Sequence, residues 1–220
     1  EVRKLEELHI EFASLDFQAY GTALSAEEIQ DCNNPYDSFA LHKAALIACG
    51  IIPQHGSVNL QDILRRLGGG IYISTRVCNV PKGSGLGTSS ILAGAAVKAI
   101  GEFLGEDWSE SVLYQRVLNL EQIMSTGGGW QDQVGGLTPG VKYITTKPGM
   151  KQEIKVEHME LDEATKAELQ ERFALIYTGQ RRLARNLLRY VVGGYIGGRP
   201  ESIEALEEMK HLAVLMRYEL

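Results

Sequence analysis

One stretch decides the fold class of this chain: Pro81-Lys82-Gly83-Ser84-Gly85-Leu86-Gly87-Thr88-Ser89-Ser90. It follows an alternating, β-rich segment at 71–78 and opens an apolar helical pattern at 88–104, so we predict a strand, a loop and a helix. Glycines at alternate positions let the backbone wrap closely around an anion. The unpaired N–H groups of the first helical turn lie at the positive end of the helix dipole. These features predict a phosphate-binding loop, with the hydroxyl groups of Thr88, Ser89 and Ser90 at the start of the helix.

The spacing of this loop does not match the most common nucleotide-binding patterns. A Walker A loop needs a glycine at position 88 and a lysine after it, but position 88 is Thr and Lys82 precedes the glycines. The dinucleotide-binding pattern of Rossmann folds and the glycine loop of protein kinases need the same third glycine. The loop is therefore predicted to belong to a different class of phosphate-binding site.

Two carboxylates follow the loop in an order that suits phosphoryl transfer. Glu121 lies late in a helix predicted at 109–125. The glycine-rich segment 127–136 breaks that helix, and Asp132 lies in this segment just past a glycine-rich turn. Phosphoryl transfer needs a divalent cation with hard oxygen ligands, and a group that orients or deprotonates the attacking hydroxyl. One carboxylate for each task would meet both needs. Taken singly, Glu121 could instead be a solvated charge on a helix, and Asp132 could be a turn residue.

The pattern Pro-x-x-x-Gly-Leu-Gly-[Ser/Thr]-Ser, from Pro81 to Ser89, resembles the second signature motif of the GHMP kinases, named for galacto-, homoserine, mevalonate and phosphomevalonate kinases. This resemblance implies a two-lobed α+β fold, with ATP and Mg²⁺ as cofactors. It also implies that the ten residues quoted above bind ATP, that Ser89 and Glu121 hold the magnesium ion, and that Asp132 is the catalytic residue.

A second motif narrows the substrate class: Ser125-Thr126-Gly127-Gly128-Gly129-Trp130-Gln131-Asp132-Gln133-Val134-Gly135-Gly136. It resembles a signature of L-fucose kinases, whereas heptose 7-phosphate kinases share only its shorter Gly-Gly-Trp-Gln-Asp-Gln core. Asn33-Asn34-Pro35 and Tyr177-Thr178-Gly179-Gln180 also resemble the fucose branch. The resemblance implies that the γ-phosphate of ATP is transferred to the anomeric hydroxyl of L-fucose, giving L-fucose 1-phosphate.

The sugar is expected to contact the second motif through Gly128, Gly129, Trp130, Gln131 and Gln133. Trp130 offers an apolar plane for a C–H face of the sugar, and the two glutamines offer donors and acceptors for its hydroxyl groups. The alternative is a Trp that belongs to the core and glutamines that belong to the surface.

We expect residues 1–136 to form part of the nucleotide-binding and catalytic lobe and residues 137–220 to begin a second lobe. The family's N-terminal sugar-binding motif and C-terminal glycine-rich motif do not occur in the chain. It therefore resembles the middle of a longer kinase, which could also carry a fused nucleotidyltransferase domain. The alternatives are a kinase for another sugar such as a heptose phosphate, a non-catalytic sugar sensor, and an inactive fragment. The presence of both Asp132 and Glu121 counts against a sensor.

Composition limits the partners and the compartment. The chain has 220 residues, of which 44% are hydrophobic and 23% charged, as is ordinary for a globular protein. Its net charge of −6 counts against nucleic acid or an anionic membrane as the main partner, because both need a basic face. Its three cysteines form no CxxC pair, so we expect a cytoplasmic protein without disulfides or zinc. The sequence does not determine the oligomeric state.

Hydrophobic periodicity also predicts the remaining secondary structure. Strands are expected at 8–14, 140–146, 152–158 and 173–178, and helices at 36–50, 59–67, 162–172, 181–192 and 201–219.

Overall fold

The computed structural model describes residues 1–34, 36–80, 86–124, 129–149, 153–176 and 184–220, with the main chain alone at 184–188. It divides into two compact units, Glu1–Leu137 and Thr138–Leu220. Helices and strands occur in both units, which confirms the predicted α+β class.

The first unit is built on a four-stranded sheet with the strand order β1-β4-β2-β3. Its strands are β1 (Val2–Leu5), β2 (Ile10–Ser14), β3 (Ala19–Ala23) and β4 (Gly70–Thr75). β4 is an internal strand, antiparallel to β1 and parallel to β2, while β2 and β3 form an antiparallel hairpin. Because parallel strands need a crossover connection, the chain between β3 and β4 leaves the sheet and returns to it.

Helices pack against this sheet. The crossover contains α1 (Ala26–Gln30), α2 (Ala40–Ala48) and α3 (Leu60–Leu67). After β4 come α4 (Thr88–Leu104), α5 (Glu110–Ile123) and α6 (Gln131–Leu137). Fully buried apolar side chains from the sheet and from these helices form one core, which includes Ile10, Ile71, Leu46, Ile100 and Leu120. Removing these side chains from water is the main force that holds the helices on the sheet.

Caps explain why two helix predictions agree closely with the structure. The side chain of Asn59 accepts a hydrogen bond from the Asp62 backbone N–H at the start of α3, and Gly68 ends that helix in the left-handed conformation. α4 lies between two left-handed glycines, Gly87 with φ 64° and Gly105 with φ 74°. Side chains at such positions are strained, so glycine marks both ends of the helix in the sequence.

Part of the glycine-rich segment is helical: α6, Gln131–Leu137, was not predicted from the sequence. Close packing against α4 outweighs the low helix propensity of glycine at this point. A side chain at Gly136 would overlap Ile91, and one at Gly94 would overlap Leu137. The two glycines let α4 and α6 approach each other closely.

The second unit contains an antiparallel hairpin of β5 (Lys142–Thr146) and β6 (Ile154–His158). Three helices follow it: α7 (Glu163–Arg172), α8 (Ala184–Ile196) and α9 (Pro200–Glu219). α9 is fixed to the hairpin by Arg217, which donates to Glu157 over 3.1 Å from Nε and lies 5.1 Å from the ring centre of Tyr143. The strand predicted at 173–178 is wrong for 173–176: these residues adopt no regular structure, and the exposure of Phe173 and Ile176 shows that no sheet buries them. The remainder of that prediction lies outside the described residues.

In the described part of the chain, no helix has both the length and the apolar character needed to cross a membrane.

Candidate active site

The predicted phosphate-binding loop enters the described structure at Leu86, since Pro81, Lys82, Gly83, Ser84 and Gly85 lie outside the described residues. Gly87 is the N-cap of α4 and contributes no side-chain cap. Among the described residues no side chain caps the first N–H groups of α4, which lie at the positive end of the dipole of a 17-residue helix.

The two serines of the first turn of α4 point in different directions. Ser89 is exposed, whereas Ser90 is only 5% exposed. Ser90 shares its buried face of α4 with Ala93, Gly94 and Val97, which follow at the helical spacings of three, four and seven residues. The helical period thus turns the Ser90 hydroxyl inward and leaves Ser89 in contact with solvent.

The Ser90 hydroxyl meets a carboxylate from the next helix. Glu121, 8% exposed, lies on the buried face of α5 with Val117 and Leu120, and its Oε1 accepts a hydrogen bond from Ser90. The structure therefore brings Glu121 to Ser90, while the predicted metal ligand Ser89 lies on the outer side of the same turn. The repeat of small and apolar residues along α4 was the sequence signal for this difference.

Burial raises the pKa of the Glu121 carboxyl, and the negative charge of Asp132 raises it further. Ser90 and Gln133 oppose this rise in pKa, because their dipoles stabilise the ionised carboxylate. The charge of Asp132 is the smallest of these influences, and it indicates that a second carboxyl group lies near that of Glu121. Such a pair is relieved either by a proton or by a cation.

Asp132 lies in the first turn of α6, with its side chain exposed. It stands against the start of α4: a Cβ atom built on Gly87 would lie 3.7 Å from both Cβ and Cγ of Asp132. The candidate catalytic carboxyl and the end of the phosphate-binding loop are therefore neighbours, although 45 residues separate them in the sequence.

The predicted sugar contacts differ in their access to solvent. Gly128 lies outside the described residues, while Gly129 and Gln131 are exposed and Trp130 is half-buried. Gln133 is 1% exposed, and neither of its amide atoms has a hydrogen-bond partner among the described residues. α6 thus presents Gln131 and Asp132 outward and Gln133 inward, beside Glu121.

The oxygen atoms of this site suit Mg²⁺, although the described residues hold no cluster of three or more His, Cys, Asp or Glu side chains. Mg²⁺ prefers hard oxygen ligands and usually takes one or two protein carboxylates, with phosphates and water completing its coordination. Glu121, Asp132 and the Ser90 hydroxyl supply such oxygens, and the amide oxygen of Gln133 lacks a partner in the described structure. The residues present therefore fit the ion that the sequence predicted.

Two side chains fix the path of the backbone from β4 toward the loop. The ring Nε2 of His42, on α2, is 2.9 Å from Oγ1 of Thr75, the last residue of β4. Both carboxylate oxygens of Asp16, in the β2–β3 turn, accept the Val77 backbone N–H at 3.0 Å. Neither anchor is visible in the sequence, because each depends on a contact between residues that are far apart in the chain.

His42 is an uncharged member of this arrangement. It is 1% exposed and lies 6.0 Å from the ring centres of both Phe12 and Phe39. Burial lowers the pKa of His42 to about 4, against a smaller opposing effect of the Ala13 backbone. The imidazole is therefore neutral at neutral pH and forms part of the core that supports the loop.

Residues 57–139, which include the start of α4, Glu121 and Asp132, match the family described as GHMP kinases N terminal domain. The chain belongs to the GHMP kinase family. This GHMP kinase chain is 36% identical over 218 residues to the L-fucokinase/L-fucose-1-P guanylyltransferase of Bacteroides fragilis, covering 98% of the chain and 23% of that protein. It is 38% identical over 196 residues to the bifunctional fucokinase/GDP-fucose pyrophosphorylase of Arabidopsis thaliana, covering 88% of the chain and 18% of that protein.

These comparisons confirm the predicted resemblance to the fucokinase branch of the GHMP kinases. The chain spans about a fifth of the length of these two relatives. The fold is also similar to that of the Methanococcus jannaschii mevalonate kinase, with a TM-score of 0.59 and 13% identity over 100% of this chain and 62% of that one. At this low identity the structural similarity supports the GHMP kinase fold alone.

Proposed function

We propose that the protein containing this chain is an ATP-dependent sugar kinase that phosphorylates the anomeric hydroxyl of L-fucose, giving L-fucose 1-phosphate. The observation that carries this proposal is the position of Asp132 against Gly87, where the phosphate-binding loop meets α4. A carboxylate at that point stands beside the backbone N–H groups that would bind the phosphates of ATP. L-Fucose is the preferred acceptor because the relatives at 36% and 38% identity are named as fucokinases.

Each residue of the site has a distinct role in this proposal. The backbone from Pro81 to Ser90 binds the phosphates of ATP, and Asp132 orients the sugar hydroxyl or accepts its proton. Glu121 holds the magnesium ion with a hydroxyl group from the first turn of α4, for which Ser89 is favoured by the family resemblance and Ser90 by its contact with Glu121. Bound magnesium would offset the negative charge that develops on the transferred phosphoryl group.

The sugar would be bound on the outer side of α6. Trp130 and Gln131 are accessible to a ligand there, and a Cβ atom built on Gly129 would have no neighbour within 4 Å. An apolar ring face and an amide suit the alternating C–H and hydroxyl groups of a sugar. The main contribution to the rate would come from holding the hydroxyl in line with the phosphate and from stabilising charge.

The wider organisation also belongs to this proposal. Residues 1–136 would form most of the nucleotide-binding lobe, and residues 137–220 would begin the second lobe. The two fucokinase relatives are named for a second activity, a guanylyltransferase or a pyrophosphorylase. We therefore propose that the complete protein carries a nucleotidyltransferase domain as well and that it acts in the cytoplasm.

The proposal is tested by incubating the complete protein with MgATP and, in separate reactions, L-fucose, galactose, mannose and a heptose 7-phosphate. We expect the highest kcat/KM with L-fucose, and a new sugar 1-phosphate signal in the phosphorus NMR spectrum. A higher kcat/KM with any other sugar would contradict the assignment of the acceptor. Sugar binding without turnover of ATP would instead indicate a sensor.

A further inference from the structure

Asp16 lies in the turn between β2 and β3, at the point where the parallel pairing of β2 with β4 ends. Ser14 and Thr75 are the last residues in register, and the Leu15 backbone N–H still donates to the Thr75 carbonyl at 3.0 Å. Beyond the end of β4, both carboxylate oxygens of Asp16 accept the Val77 backbone N–H at 3.0 Å. The side chain of Asp16 therefore continues the hydrogen bonding between the two segments after the ladder has ended.

The segment that Asp16 holds connects β4 to the predicted phosphate-binding loop. Residues 76–80 form neither helix nor strand, so other contacts must offset the entropy cost of holding them in one geometry. Asn79 adopts a left-handed backbone with φ 61°, which residues other than glycine rarely hold unless their surroundings fix it. The hydrogen bond from Val77 to Asp16 fixes the backbone just before Asn79.

The turn that carries Asp16 is itself fixed by the sheet. The Phe17 backbone N–H donates to the Ser14 carbonyl at 3.1 Å, which closes the turn. β2 lies between β3 and β4 in the sheet, and Asp16 is half-buried in the turn that follows β2. Because the turn is short and closed at its base, the sheet sets its position, and Asp16 transfers that position to Val77.

We propose that Asp16 is a positioning residue for nucleotide binding: its carboxylate holds residues 76–80 so that the phosphate-binding loop meets the phosphates of ATP in a fixed geometry. This inference rests on the proposed function, since it takes residues 81–90 as the site of those phosphates. Asp16 acts through the backbone N–H of Val77. A segment that is held in place before ATP binds loses less entropy on binding, and this increases the affinity.

Removal of the acceptor should weaken ATP binding and spare the chemical step. In the complete protein, Asp16→Ala should raise the KM for MgATP by about tenfold, the effect expected from losing a hydrogen bond that involves a charged group. The values of kcat and of KM for L-fucose should stay within about twofold of the wild type. The Kd of a non-hydrolysable ATP analogue, measured by calorimetry, should rise by about tenfold as well.

Asp16→Asn distinguishes the hydrogen bond from the charge. Asparagine keeps a side-chain oxygen that can accept the Val77 N–H, so the Kd of the analogue should return to within about threefold of the wild-type value. If Asp16 acted only as a negative charge near the phosphates, both variants would bind the analogue more tightly than the wild type.

Asp162→Ala is the matched control. Asp162 lies in the second unit, where its carboxylate accepts the Thr165 backbone N–H at 2.7 Å as the N-cap of α7. Both alanine variants lose a carboxylate that accepts a backbone N–H, so both should unfold at a lower urea concentration. Only Asp16→Ala should also change the affinity for the analogue.

Weaker analogue binding in Asp16→Ala, with recovery in Asp16→Asn and no change in Asp162→Ala, supports the proposal. Unchanged or tighter binding in Asp16→Ala overturns it, and Asp16 is then a structural residue of the hairpin. Asp16→Ser lacks the carboxylate but keeps a residue type that turns favour, and it replaces Asp16→Ala if that variant does not fold. If the wild type binds the analogue and these variants bind it equally well, only the role of Asp16 is lost; if the wild type does not bind it, the proposed function is lost too.

Discussion

The carboxyl group of Asp132 lies against the backbone of Gly87, so close that a methyl group on Gly87 would sit 3.7 Å from its Cγ atom. This contact joins the helix that carries the candidate catalytic group to the loop that would bind phosphate. At this point the chain turns with a φ of 64° at Gly87, a left-handed conformation that favours glycine.

Replacement of Gly87 should therefore affect both stability and nucleotide binding. An alanine at this left-handed position costs about 1–2 kcal/mol of folding free energy and adds a methyl group beside Asp132. Gly105→Ala is the matched control: Gly105 ends the same helix with a φ of 74°, and a Cβ atom there meets open space. Both variants should lose similar stability in urea, but only Gly87→Ala should weaken MgATP binding, by about tenfold or 1.4 kcal/mol by calorimetry. Equal ATP affinity in the two variants would leave Gly87 with no role beyond its place as a helix cap.

The role of Asp132 is tested by a change that removes charge and preserves shape. Asp132→Asn should lower kcat of the complete protein by about a hundredfold or more, because a positioned general base contributes about 10²–10⁴-fold to a rate. MgATP should still bind, since the phosphate-binding backbone is unchanged. Asp107→Asn, at an exposed residue outside the site, is the control and should retain full activity. Near-normal turnover in Asp132→Asn would remove the catalytic assignment while leaving the nucleotide site in place.

The two serines of the first turn of α4 should separate stability from metal binding. Ser90→Ala removes the hydroxyl hydrogen bond to the buried Glu121 carboxyl. The free energy of unfolding measured in urea should therefore fall by about 1–3 kcal/mol. Ser89→Ala changes an exposed residue and should leave the unfolding free energy within about 0.5 kcal/mol of the wild type. The magnesium concentration needed for half-maximal activity then decides which hydroxyl serves the ion. A requirement raised by Ser89→Ala alone would favour the ligand that the family resemblance implies.

His42 should make the stability of the protein depend on pH in mildly acidic solution. Its pKa is about 4 in the folded protein, below the ordinary value of 6.5, so the unfolded chain takes up a proton first as the pH falls. The stability due to the neutral ring is complete above pH 6.5 and is lost as the pH falls from 6.5 toward 4. The loss amounts to about 3 kcal/mol, at 1.36 kcal/mol for each pKa unit.

Urea unfolding at several pH values between 7 and 4 measures this effect. Carboxyl groups also titrate at the acidic end, so the comparison is between the wild type and His42→Gln, whose stability should fall less steeply below pH 6.5. His55→Gln, at an exposed residue, should follow the wild-type curve. Parallel curves for wild type and His42→Gln would show that the buried ring carries no proton-linked stability.

The sequence predicted the parts of the fold that local chemistry determines. α4 was predicted with the bounds that the structure has, because Gly87 and Gly105 are visible in the sequence as helix ends. β1 and β3 were not predicted, since most of their residues are exposed or half-buried and they carry few large apolar side chains to show an alternation. α6 was not predicted, because its adjacent glycines lower helix propensity, and its close packing against α4 is a tertiary contact that the local sequence does not show.

The same distinction applies to the site. The order of the loop, Glu121 and Asp132 could be read from the chain, but their arrangement depends on how three helices pack. The helical period of α4 already placed Ser90 with the buried residues, so its contact with Glu121 could have been foreseen. The burial of Gln133 could not, since it follows from a helix that the sequence did not reveal.

The internal position of β4 determines when a nucleotide site can exist during folding. β4 pairs on both sides with distant strands: 61 residues separate Ile10 from Ile71, and 71 separate Val2 from Ile73. Such long loops are slow to close, because their entropy is lost before the new contacts compensate for it. Residues 76–80 continue directly from this strand toward the loop and take their place only after it has entered the sheet. A nucleotide should therefore leave the refolding rate of the chain unchanged and slow its unfolding, because the site that binds it is assembled after the rate-limiting step.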